Sequence, residues 1–126
     1  MSEYNWTAFP SIENFHNIIK DFRRRRLTEL EYWVAFYPKI KLHGTNASVL
    51  IPSRINQEDG KTIKAAKRTS ILGEDDDNCG FKAWVTQKYE HFDGLTSDRD
   101  MIIWGEWAGP GIQSGVAISQ IPEKTF

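Results

Sequence analysis

The sequence has a single cysteine, Cys79, among its 126 residues. A lone cysteine excludes an internal disulfide framework and a zinc site built from several cysteines. No apolar run approaches the roughly 20 residues that a membrane-spanning helix needs, and the N-terminal residues do not have the pattern of a secretory signal. These absences predict an intracellular protein without a membrane partner.

An excess of one charge is also lacking, because 16 basic residues stand against 17 acidic ones. The net charge therefore neither favours nor excludes a nucleic-acid partner, and only local patches bear on that question. The run Arg23–Arg26 is typical of a solvated helix end and, as the sharper alternative, of a phosphate-binding surface. The acidic run Glu74–Asp77 is more typical of a solvated loop than of a metal site.

The length predicts one domain, spanning residues 1–126. Ser11 is a candidate cap for a first helix, in which apolar residues recur at helical spacing: Ile12, Phe15, Ile18, Ile19 and Phe22. A second amphipathic helix is indicated by Phe81, Trp84, Val85, Tyr89 and Phe92. We expect this second helix to end at Asp93-Gly94.

Strands are predicted at Tyr32–Tyr37, Ala47–Ile51, Met101–Trp107 and Gly115–Ile121. Asp59-Gly60 is a tight-turn signal and predicts a hairpin between Ser48–Arg54 and Thr62–Thr69. The pattern as a whole predicts an α+β fold in which an antiparallel sheet is accompanied by peripheral helices.

The stretch Lys39–Asn46 reads KIKLHGTN and runs from an alternating segment into a glycine turn. An unprotonated lysine amine attacks an electrophilic phosphorus, and burial or a nearby cation lowers the pKa of such an amine. Lys41 stands just before Gly44, whose lack of a side chain would let a nucleotide approach the backbone closely. Lys41 is therefore a candidate nucleophile, although an ordinary strand lysine is the commoner meaning of this position.

Further polar residues would complete a nucleotide site. Arg68, with Lys67 beside it at a predicted strand end, suits a phosphate or a ribose. Glu106 lies inside an apolar strand, where an acid needs a partner such as a ligand hydroxyl, and Asn46 adds a neutral donor and acceptor. Taken singly, Arg68 is more simply a surface charge and Glu106 a salt-bridge partner. The residues alone therefore suggest a nucleotide site without establishing it.

Three segments together resemble the covalent nucleotidyltransferase superfamily of ATP-dependent ligases and capping enzymes. Within it, the chain is similar to the phage-type RNA ligases that include the trypanosome RNA-editing ligases. Lys41-Leu42-His43-Gly44 resembles the lysine–x–x–glycine nucleophile motif, AKRTS around Arg68 resembles the second motif, and WGEWAGPGIQ around Glu106 resembles the third. FPSIENF near the N-terminus also resembles that branch, and the resemblance covers essentially the whole chain.

DNA ligases are the runner-up within the superfamily. They have an aspartate and an arginine in the first motif where this chain has His43 and Asn46, a departure that favours the RNA ligase branch.

The resemblance implies the front half of an ATP-grasp-like adenylation domain and a three-step reaction that uses ATP and Mg²⁺ or Mn²⁺. Lys41 would attack the α-phosphate of ATP, expel pyrophosphate and leave a lysyl-AMP. The AMP would pass to an RNA 5′-phosphate, and an RNA 3′-hydroxyl would displace the AMP to seal the strand.

The resemblance also implies roles for individual residues. Arg68 would contact the ribose or phosphate of AMP, Glu106 would accept from the ribose hydroxyls, and Asn46 would hold the nucleotide near its phosphate. Ile40 would contribute backbone contacts to the adenine, at a position where close relatives often have an acid. Phe126 would be the aromatic ring that stacks on the adenine.

Two later motifs of the superfamily do not occur in the sequence. One is a glutamate–glycine pair that supplies a metal-binding acid, and the other is a second lysine–x–lysine that contacts the α-phosphate. We therefore expect a truncated domain, whose activity alone is open and whose unpaired sheet edge would promote self-association. The alternative from another class is a non-catalytic remnant that binds nucleotide or RNA.

Overall fold

The structure, a computed structural model, describes residues 6–11, 13–24, 37–39, 41–114 and 120–126. The chain divides into two compact units. Residues 1–9 and 42–126 form the first, which we call the sheet unit, and residues 10–41 form the second, which we call the helical unit. Most of the predicted strands at 32–37 and 115–121 lies outside the described residues, as do Ile12, Arg25 and Arg26.

The helical unit contains helix α1, Phe15–Arg24. The amide of Ile18 donates to the carbonyl of Asn14 at 3.2 Å, so the helix begins after Asn14 and the predicted cap at Ser11 is wrong. The Glu13 carboxylate accepts from the amide of Asn14 and from Nδ2 of Asn17, at 2.8 and 2.6 Å, and these local bonds organise the start of the helix. Its last turn carries Arg23 and Arg24, where the helix dipole favours positive charge.

Within its described residues, the sheet unit contains three strands and three short helices: β1 (Thr45–Ile51), α2 (Arg54–Glu58), β2 (Lys64–Lys67), α3 (Phe81–Gln87), α4 (Tyr89–Asp93) and β3 (Met101–Trp107). The strands form one antiparallel sheet in the order β2-β1-β3. This arrangement confirms the small α+β fold with an antiparallel sheet. Among the described residues no helix combines the length and the apolarity needed to cross a membrane.

The connection between β1 and β2 differs from the predicted hairpin. The two strands do pair, with Leu50 opposite Lys64, but the chain first forms α2. Ser53 caps this helix, because its hydroxyl accepts from the amide of Asn56 at 3.4 Å. Gly60, at φ 86°, then reverses the chain after the helix rather than between two strands.

The second predicted helix is divided in two. Lys88 leaves the helical conformation, with φ −96° and ψ 18°, and separates α3 from α4. The predicted apolar face is kept in part, since Phe81, Val85 and Phe92 are buried, whereas Tyr89 is exposed. Helix α4 ends at Asp93 with Gly94 as its C-cap, as predicted.

The two faces of the sheet have different neighbours. Successive side chains of a strand alternate between faces, and directly paired residues share a face. One face, which we call the core face, carries Ala47, Val49 and Ile51 of β1 and packs in one apolar cluster with Phe81 and Val85 of α3. The opposite face, which we call the outer face, carries Asn46, Ser48 and Leu50 of β1 with Trp104 and Glu106 of β3.

The N-terminal segment covers part of the outer face. The indole of Trp6 donates to the hydroxyl of Ser48 at 3.3 Å, and the indole of Trp104 donates to the carbonyl of Thr7 at 3.1 Å. The ring of Phe9 meets Trp104 edge-on, with centroids 5.8 Å apart. Ser48 is fully buried as a result, and its only polar side-chain atom has a partner.

The carboxylate of Asp100 joins the start of β3 to the N-terminus of α2. Its Oδ1 accepts from the backbone amide of Ser53 at 2.8 Å and from Nδ2 of Asn56 at 2.6 Å. The hydrogen bond from the Ser53 amide, followed by that from Asn56, lowers the pKa of Asp100 below its ordinary value. Because the folded pKa is lowered, the stabilisation is present above the unfolded pKa and is lost as pH falls through the folded one.

We expect Asp100→Ala to lower the free energy of unfolding by about 1 kcal/mol at neutral pH, since two hydrogen bonds to an exposed carboxylate are lost. Asp98→Ala is the matched control, because Asp98 is exposed and makes no hydrogen bond among the described residues. Urea unfolding measures both variants. The deficit of Asp100→Ala should shrink as the buffer is acidified below the ordinary pKa of an aspartate, and a deficit independent of pH would contradict the assignment.

Candidate functional site

One end of the sheet gathers the polar residues that the sequence singled out. In an antiparallel sheet of order β2-β1-β3, the beginning of β1 lies beside the ends of β2 and β3. Asn46 is the second residue of β1, Glu106 is next to last in β3, and Arg68 directly follows β2. We call this end of the sheet the polar end. Segments far apart in sequence therefore meet there.

Asn46 and Glu106 are directly opposite each other in the β1–β3 register. Side chains of directly paired residues lie on the same face, with Cβ atoms roughly 5 Å apart. Both residues are half-buried on the outer face. The structure thus brings two of the predicted site residues together as immediate neighbours.

Glu106 finds its partner in the glycine turn that precedes β1. Its Oε1 accepts from the backbone amide of Gly44 at 3.0 Å. The carbonyl of Gly44 in turn accepts from Nε2 of Gln113 at 3.2 Å. The Gly44 residue is therefore held through both its N–H and its C=O, by side chains from the segment GEWAGPGIQ.

Gly44 is needed because the backbone of β3 approaches it closely. A Cβ added to Gly44 would lie 2.2 Å from the carbonyl oxygen of Trp107 and 3.0 Å from the Cα of Ala108. Both are backbone atoms that cannot move aside without breaking the register of the sheet. The glycine turn therefore makes room for a neighbouring strand, whereas the sequence had suggested room for a nucleotide.

The two basic residues at the end of β2 have different environments. Lys67 forms an ion pair with Asp76, and this hydrogen bond lowers the pKa of the Asp76 carboxyl. Arg68 is exposed and has no hydrogen-bond or ion-pair partner in the part of the chain that the structure describes. Of the two, Arg68 is the side chain available for an anionic ligand.

The turn Asn78–Gly80 contacts the start of β1 and the end of β3. Nδ2 of Asn78 donates to the carbonyl of Asn46, and the hydroxyl of Thr45 donates to Oδ1 of Asn78, both at 3.3 Å. The carbonyl of Cys79 accepts from the indole of Trp107 at 3.1 Å and from Nζ of Lys124 at 2.9 Å. The turn is thereby bonded to both β1 and β3.

The predicted nucleophile lies at a unit boundary. Lys41 is the last residue of the helical unit, and it is exposed. In the sequence it stands three residues before Gly44. Ile40, predicted to contact adenine, lies outside the described residues.

Phe126 is not on the face of the sheet that carries Asn46 and Glu106. A Cβ on Gly105 would meet the ring of Phe126 at 2.6 Å, and Gly105 pairs with Ala47 on the core face. The ring also packs on Phe81, at a centroid distance of 5.2 Å, and borders a groove of about 620 Å³ beside Trp84. A base stacked on Phe126 would lie in that groove, so the stacking role stays a prediction separate from the polar end.

Asp76 and Asp77 have identifiable partners within the protein. Besides its ion pair with Lys67, Asp76 accepts from the backbone amide of Asn78, and Asp77 accepts from the backbone amide of Ala83 at the start of α3. Within the described residues, no group of three or more histidine, cysteine, aspartate or glutamate side chains is arranged to hold a metal ion.

No protein-family model matches the chain, and no curated protein matches its sequence.

Two residues of the polar end were not predicted from the sequence. Gln113 contacts Gly44, and Asn78 contacts Thr45 and Asn46. A signal for Asn78 was present, because asparagine next to Cys79-Gly80 favours a left-handed turn. Its partners, 32 and 33 residues away, follow only from the tertiary structure.

Gly44→Ala should lower the free energy of unfolding by roughly 1–3 kcal/mol, because the new methyl group meets backbone atoms of β3. Gly73→Ala is the matched control, since a Cβ there would meet nothing within 4 Å. We expect that control to stay within about 0.5 kcal/mol of the parent in urea unfolding. Equal stability of the two variants would show that Gly44 is not confined as described.

Proposed function

We propose that the chain is the nucleotide-binding part of an ATP-dependent RNA ligase, in which Lys41 carries AMP as a covalent intermediate. One observation carries the proposal. Asn46, Arg68 and Glu106 come from three separate segments that each resemble a ligase motif, and all three lie at the same end of one sheet. A resemblance that arose by chance would not require these residues to meet.

The chemistry of this group suits a nucleotide. The exposed guanidinium of Arg68 complements a phosphate or a ribose oxygen. The carboxylate of Glu106 uses Oε1 for Gly44, and a carboxylate has further lone pairs that accept from ribose hydroxyls. The amide of Asn46, directly across from Glu106, donates and accepts beside it.

The proposed first step is a substitution at phosphorus. The neutral amine of Lys41 forms an Nζ–P bond with the α-phosphate of ATP while the bond to the bridging oxygen breaks. Pyrophosphate leaves with the electron pair of that bond, and the attacking nitrogen loses a proton. Transfer of the AMP to an RNA 5′-phosphate regenerates the lysine, and attack by an RNA 3′-hydroxyl releases AMP.

Incubation of the chain with ATP labelled at the α-phosphate should leave covalent radioactivity on Lys41, because the α-phosphate stays on the protein, and the P–N bond should make this label stable to alkali and labile to acid. Lys41→Ala should abolish this label, whereas Lys39→Ala, a change to an exposed lysine two residues earlier, should retain it. Denaturing electrophoresis and mass spectrometry of the labelled peptide measure the outcome.

ATP labelled at the γ-phosphate is the second control, since its label leaves with pyrophosphate. Label transferred from the γ-position would indicate phosphorylation instead of adenylation. Label that persists in Lys41→Ala would overturn the assignment of the nucleophile.

A second candidate is a protein that binds nucleotide without forming the covalent intermediate. The bond between Glu106 and the Gly44 amide favours it, because it gives this acid a structural role that needs no chemistry. If this candidate is right, the chain binds ATP saturably, and the α-phosphate label does not become covalently attached to the protein. The same labelling experiment, combined with an equilibrium binding measurement, separates the two candidates.

Contact between Glu106 and the ribose can be tested by a double-mutant cycle between protein and ligand. Glu106→Gln keeps an oxygen for the Gly44 amide but removes the charge, and 2′-deoxy-ATP removes one ribose hydroxyl. If the two groups touch, each change alone should weaken binding about 5-fold or more, and the two together should weaken it by less than the product. Tryptophan fluorescence titration measures the four dissociation constants. Effects that multiply would show that Glu106 acts only on Gly44.

A further inference from the structure

We propose that Asn78 is a positioning residue for the polar end, which holds the hydroxyl of Thr45 and the backbone carbonyl of Asn46 so that the Asn46 side chain meets the phosphate end of the nucleotide. The inference rests on the proposed function and adds a residue that the ligase resemblance does not supply. Three independent features of the turn carry it: its hydrogen bonds, its backbone conformation and its neighbours.

Both polar atoms of the Asn78 side chain form hydrogen bonds. Oδ1 accepts from the hydroxyl of Thr45, and Nδ2 donates to the backbone carbonyl of Asn46, each at 3.3 Å. These bonds are made to consecutive residues at the very start of β1, where the β1–β2 ladder has already ended at Ala47. Asn78 therefore restrains Asn46, which β2 does not reach because the β1–β2 pairing ends at Ala47.

The backbone of the turn is in an unusual conformation. Asn78 and Cys79 have φ of 47° and 59°, and Gly80 follows with φ 90°. A left-handed conformation is uncommon for a residue with a side chain, and two in succession persist only where the surroundings impose them. The hydrogen bonds of the Asn78 side chain and of the Cys79 carbonyl provide that constraint.

The turn is also linked to Lys67, the last residue of β2, through Asp76. The backbone amide of Asn78 donates to Oδ1 of Asp76 at 3.3 Å, and Asp76 forms the ion pair with Lys67. Through this chain of contacts, the turn ties the end of β2 to the start of β1. A displacement of Asn78 would therefore move Asn46 relative to its neighbour across the sheet, Glu106.

The test compares Asn78→Gly with Cys79→Gly. Both variants replace a left-handed residue by glycine and relieve the same kind of backbone strain. Only the first removes side-chain hydrogen bonds, because the bonds of Cys79 are made by its carbonyl, which remains. Comparison of the two variants thus separates the effect of the Asn78 side-chain hydrogen bonds from the effect of the backbone conformation of the turn.

Asn78→Gly should raise the ATP concentration for half-maximal adenylation about 5- to 10-fold, with a smaller effect on the rate at saturating ATP. Cys79→Gly should leave both quantities within about 2-fold of the parent. Equal responses of the two variants, or a change in the saturated rate alone, would overturn the positioning role. Thr45→Val, which removes one of the two bonds in a residue suited to a strand, should give an intermediate effect and serves if Asn78→Gly does not fold.

Hydrogen exchange on the same variants keeps the inference apart from the proposed function. If the parent chain forms no adenylate, the proposed ligase chemistry fails, but the restraint that Asn78 places on Thr45 and Asn46 is still measurable. Faster exchange of the backbone amides of residues 44–48 in Asn78→Gly, together with unchanged exchange in Cys79→Gly, supports this restraint by Asn78. Unchanged exchange in both variants contradicts it, whatever the activity of the parent.

Discussion

The sheet unit depends on the close approach of Gly44 to the last residues of β3. The backbone there is near enough that no side chain fits at Gly44, and the same approach brings the Gly44 amide within 3.0 Å of the Glu106 carboxylate. Steric fit and hydrogen bonding thus act at one point and set the register of β1 against β3. From that register follow the pairing of Asn46 with Glu106 and the position of Trp107 over the turn Asn78–Gly80.

The elements that the sequence predicted well are those whose local pattern coincides with their tertiary environment. Met101–Trp107 is an apolar run that is also a strand in the structure, and α4 ends at Asp93-Gly94 as predicted. The connection after β1 was predicted poorly, because the Ser53 cap competed with the Asp59-Gly60 turn signal and formed α2 first. Lys88 interrupts the second helix without any local signal of a break.

The candidate site shows the same division between local and tertiary information. Glu106 stood out in the sequence because an acid within an apolar strand needs a partner, but the identity of that partner, an amide 62 residues earlier, depends on strand register. For Asn78 the sequence indicated only a turn, because the two groups that its side chain contacts, the Thr45 hydroxyl and the Asn46 carbonyl, lie far away in the chain. Phe126 was expected beside the nucleotide site, yet its ring packs on Gly105 and Phe81, because a large apolar ring is stabilised wherever a glycine leaves room over a core.

The central position of β1 has a consequence for the order in which the chain folds. Its pairing with β2 closes a short connection, whereas its pairing with β3 joins residues as far apart as Gly44 and Glu106. The entropy lost on closing a loop grows with its length, so contacts between distant segments form later. The β1–β2 pair is therefore the earlier structure, and the arrival of β3 both covers the open side of β1 and brings the carboxylate to the glycine turn. During synthesis on a ribosome, the hydrogen bond between Glu106 and the Gly44 amide therefore forms only after β3 has emerged.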